Sequence, residues 1–224
     1  MKKNLLSKNI HQWLLLLVCF VATLPSWAED YTEDGIIYDI YTSTKTATVK
    51  GLEDKSATSA EIRSYVAGCK VTSIRFSAFR GCSALTSINI PSSVTSIGEG
   101  AFRDCSSLTS INIPSSVTSI GERAFLRCSS LTSINIPSSV TSIAGNAFCD
   151  CSALTAFTVD ANNPNYCAEG CMLFNKEKTT LLCASGSQKT YNIPNSVTSI
   201  GEDAFSDCSS LTSINIPSSV TSIG

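Results

Sequence analysis

The chain has 224 residues, of which 15 % are charged and 43 % hydrophobic, with 11 cysteines, one histidine and a formal net charge of −2. That apolar fraction excludes a disordered chain, and there is no basic excess to neutralise nucleic-acid phosphates. His11 lies in a segment expected to be removed, so the working chain has no Ser-His, Cys-His or His-metal chemistry.

Residues 1–28 have the three parts of a secretory signal peptide. Lys2, Lys3 and Lys8 give a positive start, Trp13 to Leu24 is nearly all apolar, and Ser26-Trp27-Ala28 places small residues before a cut after Ala28. The apolar run is about 12 residues, short of the roughly 20 that span a bilayer. The segment therefore reads as a leader, and no transmembrane segment is expected in the mature chain. Cys19 follows Leu16-Leu17-Val18 as in a lipoprotein signal, but Val18 is bulky where that signal wants a small residue. Cleavage takes the net charge from −2 to −5 and predicts a secreted or cell-surface protein.

Residues 29–70 form the expected N-terminal β cap. Gly35 to Tyr41 and Thr46 to Lys50 read as two strands around a Thr/Ser turn. A hairpin there would cover the first coil of a repeat array, which otherwise exposes both core and strand edge.

Residues 71–224 are repetitive. The run Leu85-Thr-Ser-Ile-Asn-Ile-Pro-Ser-Ser-Val-Thr-Ser-Ile97 returns at Leu108, Leu131 and Leu211, and the first three starts are 23 residues apart. A fixed period of this length predicts a solenoid, one coil per repeat. Ile88 and Ile90 alternate with Ser87 and Asn89, the strand period with one face buried. Pro91 ends that strand, and Val94 to Ile97 can make a second short extended run. Glu99 to Asp104 is expected to form a short helical turn directing Ala101, Phe102 and Cys105 inward. Parallel strands stack about 4.8 Å apart, so six or so coils give a core roughly 30 Å long.

The array has one interruption, at 154–187. Phe157 and Val159 keep the strand, while Asn162-Asn163-Pro164-Asn165 replaces the Pro-Ser-Ser turn. Met172 to Phe174 and Thr180 to Leu182 flank Asn175-Lys-Glu-Lys178, which predicts a hairpin standing off the coil. Tyr191-Asn-Ile-Pro194 restores the phase. The last unit, 211–224, lacks its turn half, so edge-to-edge self-association through this coil is an expected contact.

This pattern, Leu-x-x-Ile-x-Ile-Pro-x-x-Val-x-x-Ile-Gly-x-x-Ala-Phe-x-x-Cys at Leu108 to Cys128, resembles the BspA-like branch of leucine-rich repeat proteins. Asp34-Gly-Ile-Ile-Tyr38 is similar to that family's cap, and Asn163-Pro-x-Tyr166 to its divergent coil. The resemblance implies a leucine-rich repeat solenoid with a parallel sheet on one face. It also implies a secreted or surface protein that adheres to host matrix, neighbouring cells or other proteins. A departure is Ala144 in the third unit, which stands where Gly98 stands in the first and shifts the glycine to Gly145.

Cys82, Cys105, Cys128, Cys151 and Cys208 share one repeat position and are expected to form an inward thiol ladder. Cys69, Cys149, Cys167, Cys171 and Cys183 lie off it, and a disulfide is possible among the last three. No Cys-x-x-Cys spacing suggests zinc, and no cofactor is expected. The serines recur in register with no histidine to activate them, so no catalytic residue is assigned. Two candidate contact surfaces remain. One is the strand side, with Ser87, Asn89, Ser110, Asn112, Ser133 and Asn135. The other is the turn side, where Arg103, Arg123 and Arg127 differ from coil to coil. The expected function is a non-catalytic adhesion or protein-interaction module, or alternatively a spacer or fragment of a longer surface protein.

Overall fold

The computed structural model describes residues 28–224 apart from Ser187 and Asp207. The expected leader therefore lies, except for Ala28, outside the described residues. Among those residues no helix is long and apolar enough to cross a membrane.

The chain enters as an antiparallel meander of β1 (Glu29–Glu33), β2 (Ile36–Tyr41) and β3 (Thr46–Leu52). The expected hairpin is β2–β3, extended by β1. Ile36 and Tyr38 are fully buried on the core side. Asp39, on the other face, is buried as well. Arg75 of the first coil meets its carboxylate at 2.9 Å and Lys50 at 3.6 Å. Lys50 also reaches Asp30 of β1 at 2.6 Å, so one ionic cluster ties the meander to the solenoid. The outer strand carries Glu29, Asp30 and Glu33, and charge on an edge strand discourages pairing with another chain.

Within the segment 59–70, expected as part of the cap, β4 (Ser59–Glu61) and β5 (Tyr65–Val66) already pair with strands of the coils; β6 (Cys69–Ile74) follows, and β3 runs parallel to it. Each repeat then adds up to two short strands. One ladder pairs β4 with β7 (Ser87–Asn89). The other runs from β6 through β8 (Ser96–Ile97) and β9 (Ser119–Ile120) to β11 (Ser142–Ile143), aligning Ser73, Ser96, Ser119 and Ser142. The first ladder resumes with β10 (Ser133–Ile136) and β12 (Ala156–Val159). Between them, residues 108–114 carry no assigned strand.

The turn side differs from expectation. No helix occurs among the described residues, and from Ser77 to Asp150 each expected helical turn is a pair of tight turns with two left-handed residues. One column of positive φ holds Ser77, Gly100, Arg123, Asn146 and Asp203, and another Gly81, Asp104, Arg127 and Asp150. In a helical turn the N–H groups point back along their own coil. Here alternate N–H groups point along the solenoid axis instead. Ser77, Phe79 and Gly81 donate to Glu99, Ala101 and Arg103 at 2.9, 2.7 and 2.8 Å, and the next coil repeats this. The third side is thus a hydrogen-bonded ladder of turns, and Gly, Asp and Asn at most of its left-handed positions suit it.

Inside, Leu85, Ile88, Ile90, Val94, Ile97, Ala101, Phe102 and Cys105 of the first unit are all buried. Phe79, Phe102, Phe125 and Phe148 stack nearly parallel, with centroids 5.2, 5.3 and 5.4 Å apart. The thiol ladder runs beside them. Cys105, Cys128 and Cys151 donate to the carbonyls of Phe79, Phe102 and Phe125 at 3.1, 3.2 and 3.2 Å. The hydroxyls also act between coils: Thr95, Thr118 and Thr141 each donate to the carbonyl 23 residues earlier.

The divergent coil ends the first stack. Asn163 is fully buried and replaces turn backbone with side-chain bonds. Its amide donates to Pro137 O and Val140 O at 2.8 and 3.0 Å, and its oxygen accepts from the N–H groups of Asn165 and Tyr166, both at 2.9 Å. The Tyr166 hydroxyl accepts the Ile143 N–H at 2.8 Å, covering β11 where no further strand pairs. A five-stranded sheet comes next: β13 (Tyr166–Glu169), β14 (Met172–Asn175) and β15 (Thr180–Ala184), with β15 then parallel to β17 (Ser199–Ile200) and that to β19 (Ser222–Ile223). Beside it β16 (Thr190–Asn192) pairs with β18 (Ser213–Asn215).

The hairpin β14–β15 forms as expected but does not stand off the coil. It is a wall between two cores: Leu173 and Cys183 belong to the first, and Met172, Phe174, Leu181 and Ala184 to the second. Each of these side chains finds apolar contact only inside, so the hairpin is drawn into the stack. Cys167 and Cys171 pack against the second core, across the wall from Cys183, and all three are free thiols.

Candidate functional site

The two candidate surfaces lie on different sides of each coil. On the strand side, Ser87, Asn89, Ser110, Asn112, Ser133 and Asn135 are all exposed, with Ile88, Ile111 and Ile134 buried beneath them. Alternation along an extended chain dictates this: what faces water at 87 and 89 leaves 88 to the core. Among the described residues no hydrogen bond is recorded for these six side chains, whereas Thr86, Thr132 and Thr155 beside them donate to carbonyls of neighbouring coils. The six therefore present unspent amides and hydroxyls to solvent.

At the N-terminal end of this face an open groove of about 620 Å³ is lined by Asp34, Ser59, Glu61, Arg63, Ser87 and Asn89 among others. Arg63 and Asp34 are paired across it at 2.6 Å. Sequence reasoning missed Ser59, Glu61 and Arg63. Ser59 aligns with Ser87, 28 residues on, so a search at period 23 passes over it. The alternation in Ser59-Ala60-Glu61 was the available signal.

On the turn side the three arginines are committed to partners within the chain. Arg103 Nε lies 3.4 Å from Asp104, and Arg123 lies 2.9 Å from Glu122. Arg127 bridges Asp104 and Asp150 at 3.9 and 3.2 Å. Asp104, Arg127 and Asp150 occupy one column, so charge alternates in sign along the stack. Arg123 and Arg127 accept left-handed backbone, at φ 53° and 61°, in places that favour Gly or Asp. Their ion pairs accompany that cost.

The thiols in the middle of the ladder are held in their protonated, unreactive form. Burial pushes the Cys105 and Cys151 thiols up to about 12 and that of Cys128 well above its ordinary value. A thiolate is the nucleophilic and metal-binding form, so these residues serve packing. Among the described residues no group of three or more His, Cys, Asp or Glu is arranged to hold a metal ion.

The recurring coil, the Asn-Pro-x-Tyr plug and the strand cap can be set beside known proteins. The model of the BspA type leucine rich repeat region matches residues 53–174 and 179–224, in 6 copies. The chain belongs to the BspA-type leucine-rich repeat family. Among solved structures it is similar to a leucine-rich repeat protein from Eubacterium ventriosum, with 25 % identity over 88 % of this chain and 62 % of that one and a TM-score of 0.63. One from Bacteroides ovatus shares 27 % identity over 88 % of this chain and 55 % of that one, at a TM-score of 0.56. One from Bacteroides capillosus shares 30 % over 59 % of this chain and 99 % of that one, at 0.53. The BspA-type chain therefore spans less than two thirds of the first two proteins. A comparison with curated proteins finds no match.

Proposed function

We propose that this BspA-type protein is an exported, secreted or cell-surface adhesion module that binds a partner without turning it over. The observation that carries the reading is the row of exposed Ser and Asn side chains on a rigid, twice-laddered solenoid. Repeated weak contacts of this kind act together when a partner presents many copies of one group. The charge, apolar run and small residues of 1–28 support export. The buried, raised thiols and the absence of histidine beyond His11 support binding over chemistry. Partners in this reading are host matrix or neighbouring-cell surfaces, with no nucleic acid and no cofactor. The test is binding of residues 29–224 to immobilised matrix proteins and to whole cells. Saturable binding without product formation is expected, and no binding across the panel would overturn the reading.

A further inference from the structure

We propose that the strand face holds an extended, neutral polysaccharide rather than a protein, an inference that rests on this face being the binding face. The first argument is charge. Residues 85–98, 108–121 and 131–144 contain no charged side chain. Every charge between 85 and 149 lies in the turn segments, at Glu99, Arg103, Asp104, Glu122, Arg123 and Arg127. The face thus offers no charge complementarity to an acidic or basic partner and matches an uncharged one. The second argument is residue type. Binding energy between proteins concentrates in Trp, Tyr and Arg, with Ser and Thr under-represented. On the strand face of the three central coils the outward side chains, from Thr86, Ser87 and Asn89 to Thr132, Ser133 and Asn135, are Thr, Ser and Asn alone.

What the face does offer is dense two-way hydrogen bonding. Asn89, Asn112 and Asn135 each present an amide donor and a carbonyl acceptor. The hydroxyls of Thr132 and Thr155 spend their protons on Thr109 O and Thr132 O, which leaves acceptor lone pairs. Sugar hydroxyls are donors and acceptors side by side, the complement of this pattern. Spacing agrees as well. The coils repeat at 5.2 to 5.4 Å along the Phe stack, and strands within a ladder at about 4.8 Å. Successive rings of an extended β-1,4-linked pyranose chain advance by close to that distance, which sets one sugar over one coil. In the groove at the end of the row Glu61 adds a carboxylate acceptor, while Asp34 is neutralised there by Arg63 at 2.6 Å.

The experiment is affinity electrophoresis of residues 29–224 through native gels containing a soluble β-1,4-linked glucan or, as a control, dextran. The expected result is retardation by the glucan, little by dextran, and the same shift at low and high salt. The variant Asn89→Ala/Asn112→Ala/Asn135→Ala weakens binding about tenfold or more with an unchanged melting temperature. If the glucan gives no shift while the same variant loses binding to matrix protein or cells, the polysaccharide is overturned and the binding face stands. If the shift persists in the variant, or the variant changes no binding at all, both are overturned.

Discussion

At the scale of single residues, close backbone approach decides where a methyl is tolerated. A Cβ on Gly51 would stand 2.7 Å from Ala78 O, where the cap closes on the first coil, whereas one on Gly145 would meet nothing within 4 Å. Gly51→Ala is expected to lower unfolding free energy by about 1–3 kcal/mol. Gly145→Ala should stay within about 0.5 kcal/mol, and urea titration of both checks the contrast. Asn163 is a second such point. Asn163→Ala removes its bonds to two carbonyls and two N–H groups, of which Pro137 O keeps the Val140 N–H, at a cost of about 2–4 kcal/mol, read by the same titration. The inward set, from Leu85 to Cys105, was legible in the sequence because burial repeats with the period. The role of Asn163 was not, since an Asn-Asn-Pro-Asn run reads as a surface turn and only the fold brings Pro137 and Val140 over it. The ion pairs of Arg103, Arg123 and Arg127 were also hidden. They depend on turn geometry, and a helical turn would have spaced those charges differently.

At the scale of elements, the solenoid is built from ladders that each do a separate job. Strand ladders join backbone, turn ladders carry N–H groups to the next coil, and the Phe and Cys columns fill the middle. The strand and the thiol column were readable from alternation and register. The turn ladder was not, because Gly100, Asn146 and Asp203 signal left-handed backbone only when compared down a column that also holds Ser77 and Arg123. The thiol column makes a pH prediction. In the folded chain Cys105 and Cys151 ionise only near 12, while an unfolded cysteine ionises near about 8.5. A raised folded value for an acid means the unfolded state loses protons first. Stability should therefore be level up to about pH 8.5 and fall as pH climbs toward 12. Urea midpoints across that range check it, and Cys105→Ala should flatten the fall.

At the scale of the whole molecule, the hairpin wall divides one solenoid into two cores. The long sheet stops at β11, and the five-stranded sheet starts afresh at β13. Side chains bridge the gap: Tyr166 to Ile143, and Asn146 to Asp203 at 2.9 Å. An apolar cavity of about 110 Å³ remains beside Phe148, Leu173 and Leu182. Repeat stability is a sum of coil and interface terms, and a weak interface separates cooperative units. Hydrogen exchange should therefore show amides of 172–223 opening ahead of those of 47–143, and a single common opening rate would contradict this. The interruption at 154–187 was visible in the sequence. Its role as a wall was not, because Met172-Leu-Phe174 turns apolar side chains to both faces, which identifies a buried strand only once both neighbours are known.

The central claim is that this BspA-type chain works by contact through its uncharged strand face. The most direct measurement compares cell-surface binding of residues 29–224 with that of Asn112→Arg and of Arg127→Ala. Asn112→Arg sets a charge at the middle of the exposed row, and Arg127→Ala alters only the turn side. The account predicts that the first loses most of its binding and the second keeps it. Binding that survives Asn112→Arg and disappears with Arg127→Ala would contradict it.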